Sequence, residues 1–415
     1  MVEDYRHILF TCFQAGVEAC LPENCLPPFL ELGASDKPKC VLGAGKAAAQ
    51  MASVVNTLYP GRCYGTVVTR YGHGQDTCTG GIKLLEAGHP VPDANSLKAA
   101  ELILTQAASV PLTGAHSIVL LSGGGSALMC LPQQGISFEE KTAVHQFLLR
   151  SGASISEINC VRTHLSAIKG GKLGSALGDS LHSTYIISDV VGDDLTVIAS
   201  GPTIQPKTKP LDAWNILKKY SFPMVPSIYN FLQINELSSP VKQSEIHIVA
   251  SAHTMLEAAT KLAESFLWNF QIISPVEVGE AADVGRRHAE IALEAKQMGK
   301  RIILFSGGEL TVTHSGQGRG GPNQEYLLAL AEALEGTEGI YALACDTDGI
   351  DGSEDNAGAY ISPNTLAAAK KLNLSPVNYL DMHNSYSFFK SLGDLVVTGP
   401  TGTNVNDFRA ILVDP

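Results

Sequence analysis

Cys40-Val41-Leu42-Gly43-Ala44-Gly45-Lys46-Ala47-Ala48 is a short apolar run that enters a glycine turn and opens an Ala-rich helical stretch towards Tyr59. A strand buried on both faces reads this way, because helices cover it above and below and no polar residue has to alternate. The same pattern recurs along the chain. Tyr64 to Thr69 ends in Arg70, and Ser117-Ile118-Val119-Leu120-Leu121 runs into Ser122-Gly123-Gly124-Gly125-Ser126. Tyr185-Ile186-Ile187 ends at Ser188-Asp189, and Ile246-His247-Ile248-Val249 meets a helix after Ala250-Ser251. Arg301 to Phe305 ends at Ser306-Gly307-Gly308-Glu309, and Tyr341 to Cys345 ends at Asp346. Apolar runs alternating with helical patterns predict an α/β fold with parallel strands. Five of the 21 prolines fall between Pro202 and Pro226, and Ser238-Ser239-Pro240 follows, so that region reads as the approach to a second α/β unit. The strand-Ser-Gly-Gly pattern at Ser122 and again at Ser306 is a short echo between the two halves.

The size agrees with two or three domains, since 415 residues stand against about 150 for a typical one. Hydrophobic residues at 45% supply sizeable cores, and charged residues at 17% exclude disorder as the main state. With 29 basic against 41 acidic residues the net charge is −12, which excludes a nucleic-acid wrapper or a protein lying on an anionic membrane. A local cradle can still hold a small anion. The nine cysteines (positions 12, 20, 25, 40, 63, 78, 130, 160 and 345) are odd in number and include no C-x-x-C pair, which argues against a disulfide framework or zinc finger. The first residues carry acid where a secretory signal needs base, and no apolar run approaches the ~18 residues of a membrane span. These features predict a reduced, soluble, cytoplasmic protein.

In open α/β sheets ligands sit beyond the carboxyl ends of the strands. Gly43-Ala44-Gly45-Lys46-Ala47-Ala48 fits G-x-G-x-x-A, with helix N–H groups and Lys46 available to an anion. It fails the P-loop pattern, and the ribose acid expected some 20 residues on is replaced by Arg70. The plain alternative is tight helix–strand packing. Ser122-Gly123-Gly124-Gly125-Ser126 is the stronger phosphate candidate, because three glycines sacrifice backbone entropy that close approach of a phosphate would justify; a wide turn without ligand is the alternative. Gly316-Gln317-Gly318-Arg319-Gly320-Gly321 matches G-x-G-x-x-G, but the run before it, Leu310 to His314, alternates like a half-exposed strand. It reads as a Gly-rich loop that can close, with Pro322 placed to start a helix.

Two acid clusters follow buried strands, Asp189 to Asp194 and Asp346 to Asp351. Such carboxylates can hold Mg²⁺ on a nucleotide or accept a proton from a hydroxyl, or simply brace their loops as Asx-turns. No G-x-S-x-G elbow, H-E-x-x-H helix or histidine cluster is present. Ile155, Ile158, Val161, Leu165 and Ile168 recur at helical spacing, which places Arg162 and Lys169 in line beside one apolar stripe. Two such cations can receive a carboxylate or phosphate, or lie on a solvated flank.

Together these stretches resemble the class II glycerate 2-kinases. The matching segments are Gly43 to Lys46, Leu85 to Asp93, Leu121 to Leu128, Asn159 to Gly171 and Ser188 to Pro202, then Ser306 to Thr311, Gly316 to Glu325, Asp346 to Gly358 and Thr398 to Val405. They run in order through nearly the whole chain. The resemblance implies a Rossmann-like parallel-sheet N-terminal domain (1–237), a MOFRL-type C-terminal α/β domain (238–415) and a cleft between them. It implies ATP-dependent phosphorylation of D-glycerate to 2-phosphoglycerate with Mg²⁺. The family lysine falls on Lys46 and the aspartate of the Ser-Asp-Val strand end on Asp189. Where many members have Gly-Gly-Arg-Asn-Gln-Glu this chain has Gly320-Gly321-Pro322-Asn323-Gln324-Glu325, with Arg319 the substitute cation.

On this reading Lys46 and Asp189 are catalytic. Gly43, Gly45, Ser122, Gly123, Gly124, Gly125 and Ser126, with Ser306, Gly307, Gly308 and Glu309, receive the nucleotide phosphates. Arg162, Lys169, Arg319 and Asn323 bind the glycerate, and Asp193, Asp346 and Asp348 hold the metal. The competing readings are a nicotinamide-dependent hydroxypyruvate reductase, supported by the G-x-G-x-x-A turn alone, and a non-catalytic nucleotide sensor. The sequence leaves the oligomeric state open, a homodimer included.

Overall fold

In the computed structural model, which describes residues 4–30, 36–74, 77, 79–234, 245–313 and 318–415, the expected apolar runs become strands. β1 (Lys39–Ala44), β2 (Cys63–Arg70), β3 (Ile82–Ala87), β4 (His116–Leu121), β5 (His182–Ile187) and β6 (Glu245–Ala250) form one sheet in the order β3-β2-β1-β4-β5-β6. The pairings from β3 across to β5 are all parallel. Every residue of β1, β4 and β5 is buried, which is why these runs carry no polar alternation. Strand order reverses between β1 and β4, so the loops that follow them diverge and leave a crevice at the carboxyl edge.

Helix boundaries follow local chemistry. Asp93 accepts from the Ser96 amide to start the helix Ala94–Thr113, and Gly114 stops it in the left-handed conformation. Ser137 with Glu140 and Ser154 with Glu157 form capping boxes on the helices Phe138–Arg150 and Ile155–His164. These two helices, with Pro210–Lys219 and Pro226–Ile234, enclose a separate small core of Val144, Leu148, Ile158, Val161, Leu217 and Ile228. The apolar stripe from Ile155 to Ile168 is therefore not one helix. It ends at His164, because the Ala167 amide turns to the Leu131 carbonyl and Ser166 bridges Pro132.

A second sheet is built from β7 (Asn269–Glu280), β8 (Ile302–Thr311), β9 (Ile340–Asp346), β10 (Gly358–Ile361), β11 (Leu395–Val396) and β12 (Asp407–Val413), in the order β11-β10-β9-β12-β8-β7. Only β7 and β8 pair in parallel; β12 enters between β8 and β9 and runs antiparallel to both. The α/β class stands, but the expectation of parallel strands throughout does not. A strand buried on both faces reads the same in either direction, and all seven residues of β12 are buried. The expected turn at Ser306–Glu309 is also absent: these residues lie inside β8 and pair with β7. Gly308 (φ 91°) is glycine because an added Cβ would lie 2.2 Å from the Glu277 carbonyl oxygen.

The chain forms two compact units, Leu26–Val249 around the parallel sheet and Ala250–Pro415 with Met1–Cys25 around the mixed sheet. This differs from a division at 237/238, a point outside the described residues like Ser238-Ser239-Pro240, Cys78, His314, Gly316 and Gln317. The N-terminal helix Tyr5–Ala19 buries Leu9, Phe13 and Val17, and Phe13 packs on Phe408 of β12, which ties it to the mixed-sheet unit. Among the described residues no helix is long and apolar enough to cross a membrane.

Close packing at the β1 exit gives a stability prediction. Gly45 has φ 148°, and an added Cβ would lie 2.1 Å from Ser122 Oγ and 2.7 Å from the Ser122 carbonyl oxygen. Gly45→Ala is expected to cost about 3 kcal/mol, from backbone strain and overpacking together. A urea unfolding midpoint equal to that of the parent protein would rule this packing out.

Candidate active site

β1 and β4 end side by side, Ala44 beside Leu121, so the two glycine loops meet where the strand order reverses. The first loop is committed to the second. Gly45 N donates to the Val68 carbonyl (3.1 Å), Lys46 N to the Gly123 carbonyl (2.8 Å) and Ala47 N to Ser122 Oγ (3.0 Å). The amides expected to receive a phosphate are thus already bonded, and an added Cβ on Gly43 would sit 2.5 Å from the Leu120 carbonyl oxygen. Gly43 and Gly45 are accounted for by loop-on-loop packing, the plainer of the two readings.

The second loop is different. Gly125 N turns back to the Ser122 carbonyl (3.3 Å), whereas the Gly123 and Gly124 amides make no hydrogen bond to described residues. Gly124 takes φ 80°, and an added Cβ there would come within 2.9 Å of His89 Nε2 and 3.6 Å of Lys46 Cγ. The half-buried Lys46 side chain, His89 and Gly124 are therefore gathered at one point on the carboxyl edge.

That point opens into a cavity of about 330 Å³. Gly124, Ser126 and His89 line one end; Lys141, Arg162 and Lys169 supply cations; Val144, Leu148, Ile158 and Val161 form an apolar wall. Lys169 is 0% exposed and Lys141 5% exposed. Lys169 Nζ donates to the Met129 carbonyl (2.6 Å) and Lys141 Nζ to the Leu131 carbonyl (3.3 Å). Arg162 donates to Asn159 Oδ1 (2.9 Å) and lies against His145. Among the described residues none of the three cations meets a carboxylate, whereas Lys219, Lys261 and Arg287 on the surface all do. Burial pushes the Lys141 amine down to about 8 and holds Lys169 well below the usual lysine range, with Lys141 adding to the effect on Lys169. Burial, then Arg162 and Lys141, lower His145 to about 4. Burying charge without a partner costs several kcal/mol per ion. The lowered values of Lys141 and Lys169 express that cost, and an anion entering beside them and the half-buried Arg162 would offset it. Such a lining can receive an anion.

Arg162 and Lys169 are thus brought together, although by convergence across a cavity and not along one helix. Sequence reasoning missed Lys141 and His89. The Leu85–Asp93 stretch contains His89, but no local signal marks Lys141, which sits in the first turns of an ordinary capped helix.

The remaining candidates are placed as follows. Asp189 lies half-buried just past β5, one strand along from the Ser122 loop. Asp193 sits four residues on, in a left-handed turn (φ 54°) whose amide bonds the Val190 carbonyl. In the mixed-sheet unit, Asp346 Oδ1 accepts from Asp348 N (2.8 Å) and Asp348 Oδ1 from Ile350 N (2.9 Å), which are Asx-turns. Among the described residues no three His, Cys, Asp or Glu side chains gather as a metal site. Arg319 does not replace the missing family arginine as a free cation: its Nε bonds Glu354 at 3.0 Å and its guanidinium lies over Tyr386. Asn323 is fully buried and its Nδ2 is engaged by Asp407 (2.7 Å) and Asp351 (3.2 Å). Ser306 Oγ and the Gly307 carbonyl accept from the buried Arg409 guanidinium, so these two residues belong to a structural network with Asp407.

Residues 8–233 match the model of a domain of unknown function, DUF4147, and residues 302–407 match the MOFRL family. The chain is 36% identical to a D-glycerate 2-kinase of Thermotoga maritima, over 98% of this chain and 97% of the relative. The crystal structure of a glycerate kinase from Thermotoga maritima matches with a TM-score of 0.92 at 35% identity, covering 98% of this chain and 99% of that one. The chain belongs to the MOFRL-type glycerate kinases. Another relative, from Agrobacterium vitis, is 45% identical over 98% of this chain and 94% of its own and bears the name putative hydroxypyruvate reductase. In this glycerate kinase family member the cation-lined cavity and the Lys46–Gly124 junction both lie in the parallel-sheet unit, within the DUF4147 match.

Proposed function

We propose that this chain transfers the γ-phosphoryl group of ATP to the 2-hydroxyl of D-glycerate, and that the cavity lined by Lys141, Arg162 and Lys169 holds the glycerate carboxylate. The observation that supports this most is a pair of buried lysines and a half-buried arginine, none of which meets a carboxylate among the described residues, lining a cavity that reaches the glycine loop beside Lys46. A bidentate arginine fork suits a planar carboxylate, and the two ammonium groups add charge in a low-dielectric pocket. Lys46 neutralises charge that builds on the moving phosphoryl group, while the Gly123 and Gly124 amides receive phosphate oxygens. Asp189 orients or deprotonates the 2-hydroxyl, or helps hold the metal.

Mg²⁺ fits this donor set. It is usually held by one or two carboxylates together with substrate phosphates, so a three-ligand protein cluster is not needed. Asp189 and Asp193, on one loop at the carboxyl edge, are the residues we assign to it; bound there with the nucleotide, the ion would offset phosphate charge. Eight described cysteines are free thiols, which suits a reducing compartment and a cytoplasmic location.

ADP release dependent on D-glycerate, with the product identified by phosphorus NMR, tests the reaction directly. Formation of 3-phosphoglycerate would remove the 2-hydroxyl assignment. Hydroxypyruvate reduction is the second reading, favoured by the G-x-G-x-x-A turn. Against it stand the bonded amides of Gly45, Lys46 and Ala47 and the placement of Arg70 at the end of β2. Oxidation of a reduced nicotinamide by hydroxypyruvate, followed by absorbance in a parallel assay, separates the two.

A pH dependence follows from Lys141. In the free protein its amine titrates near 8, below the ordinary lysine value, so above that pH the cavity loses a charge. A bound carboxylate draws the value back up, and binding must then take up a proton. The Lys141 contribution to D-glycerate affinity is expected to fall by up to about tenfold per pH unit above 8. Calorimetry in buffers of different ionisation enthalpy should show proton uptake at pH 8.5. Constant affinity through pH 9.5 would remove Lys141 from the carboxylate site.

A further inference from the structure

Ala199, Ser200 and Gly201 are three consecutive left-handed residues, with φ of 50°, 60° and 56°. Two of them carry a Cβ, which the left-handed conformation crowds against the following carbonyl oxygen, so the segment is strained. The surroundings hold them there. Gly170 N bonds the Ser200 carbonyl (3.0 Å) and Gly171 N the Gly201 carbonyl (2.8 Å), while Ala199 packs on Gly125 so closely that a Cβ there would lie 2.9 Å from its own. The result is a contact between two hydroxyls: Ser200 Oγ lies 2.8 Å from Ser126 Oγ. Ser126 lines the cation-lined cavity, and Ser200 is 0% exposed.

The direction of that hydrogen bond is set by burial. Ser126 is the hydroxyl partner the structure gives Ser200, whose proton has no other described acceptor. If Ser126 donated, the Ser200 proton would be left buried and unbonded, which costs the desolvation of an unpaired polar group. Ser200 therefore donates, and the Ser126 proton is left to point into the cavity. In a cavity lined by Lys141, Arg162 and Lys169, a hydroxyl held as a donor serves an anionic oxygen.

We propose that Ser200 is a positioning residue: the strained Ala199–Gly201 segment fixes Ser126 as a hydrogen-bond donor to the substrate carboxylate. This rests on the cavity being the glycerate site. Glycine adopts the left-handed conformation without strain, so Ser200→Gly removes the hydroxyl and the strain together. It is expected to raise the thermal unfolding midpoint while raising KM for D-glycerate about tenfold, with kcat within about twofold. Ala199→Gly, which keeps the hydroxyl, is expected to raise the midpoint with KM unchanged. The double variant Ser126→Ala/Ser200→Gly should be no worse in KM than Ser126→Ala alone.

A merely structural role for Ser200 would lower kcat through loss of folded protein, with KM unmoved and the midpoint down. If Ser126→Ala raises KM but Ser200→Gly does not, or if the two effects add, the positioning role is overturned and the site survives. If Ser126→Ala itself leaves KM unchanged, the positioning role is overturned; the carboxylate site falls only if Lys169→Met leaves KM unchanged as well.

Discussion

Lys46→Ala is expected to lower kcat about a thousandfold while changing KM for D-glycerate less than threefold. The side chain stands against Gly124 and is not among the residues that line the cavity, so on the proposed function its charge is assigned to the reacting phosphoryl group and not to the carboxylate. Phosphoryl transfer is mostly positioning and charge neutralisation, and losing one preorganised positive group from such a site costs on the order of 10²–10³ in rate. The fold should tolerate the change, because Lys46 holds the loop through its backbone: its amide reaches the Gly123 carbonyl and its carbonyl accepts from Thr69 Oγ1. An unchanged unfolding midpoint with kcat nearly abolished is the expected pair of results. Undiminished glycerate-dependent ADP release would refute the role.

Lys169→Met is expected to separate stability from binding in the opposite sense. The side chain is wholly buried and donates to the Met129 carbonyl, and no carboxylate among the described residues reaches it. Methionine has similar length and no charge to desolvate, and replacing a buried ionic group by a packed apolar one often stabilises by about 1–4 kcal/mol. Removing one of three cations from a carboxylate site costs about 2–3 kcal/mol of binding, near a hundredfold in KM. KM for D-glycerate should therefore rise steeply while the midpoint rises too. A lowered midpoint with KM unmoved would make Lys169 a structural residue.

Much of the parallel-sheet unit was legible because its chemistry is local. Cys40 to Leu42 and Ser117 to Leu121 declare buried strands by unbroken apolarity, and the glycines after them declare the sharp exits that bring two loops together. Strand direction was not legible in the mixed sheet, since β12 is as fully buried as β1 and burial carries no sign of polarity. Ser306-Gly307-Gly308 imitated a phosphate turn because glycine also serves where one strand crowds another, here against Glu277. Charges were the hardest part. Arg319 and Lys169 look alike in sequence, yet Glu354, 35 residues away, neutralises the first, and no carboxylate among the described residues reaches the second. Whether a cation meets an acidic partner is a property of the fold and not of the local sequence.

Titration of D-glycerate into the nucleotide-free protein, compared with the same titration into Arg162→Met/Lys169→Met, bears most directly on the carboxylate site. One binding site in the parent protein, with heat that varies with buffer ionisation at pH 8.5, and at least a hundredfold weaker binding in the folded double variant, is the expected outcome. Equal affinity in the two proteins would place the acid elsewhere and leave the buried cations unexplained.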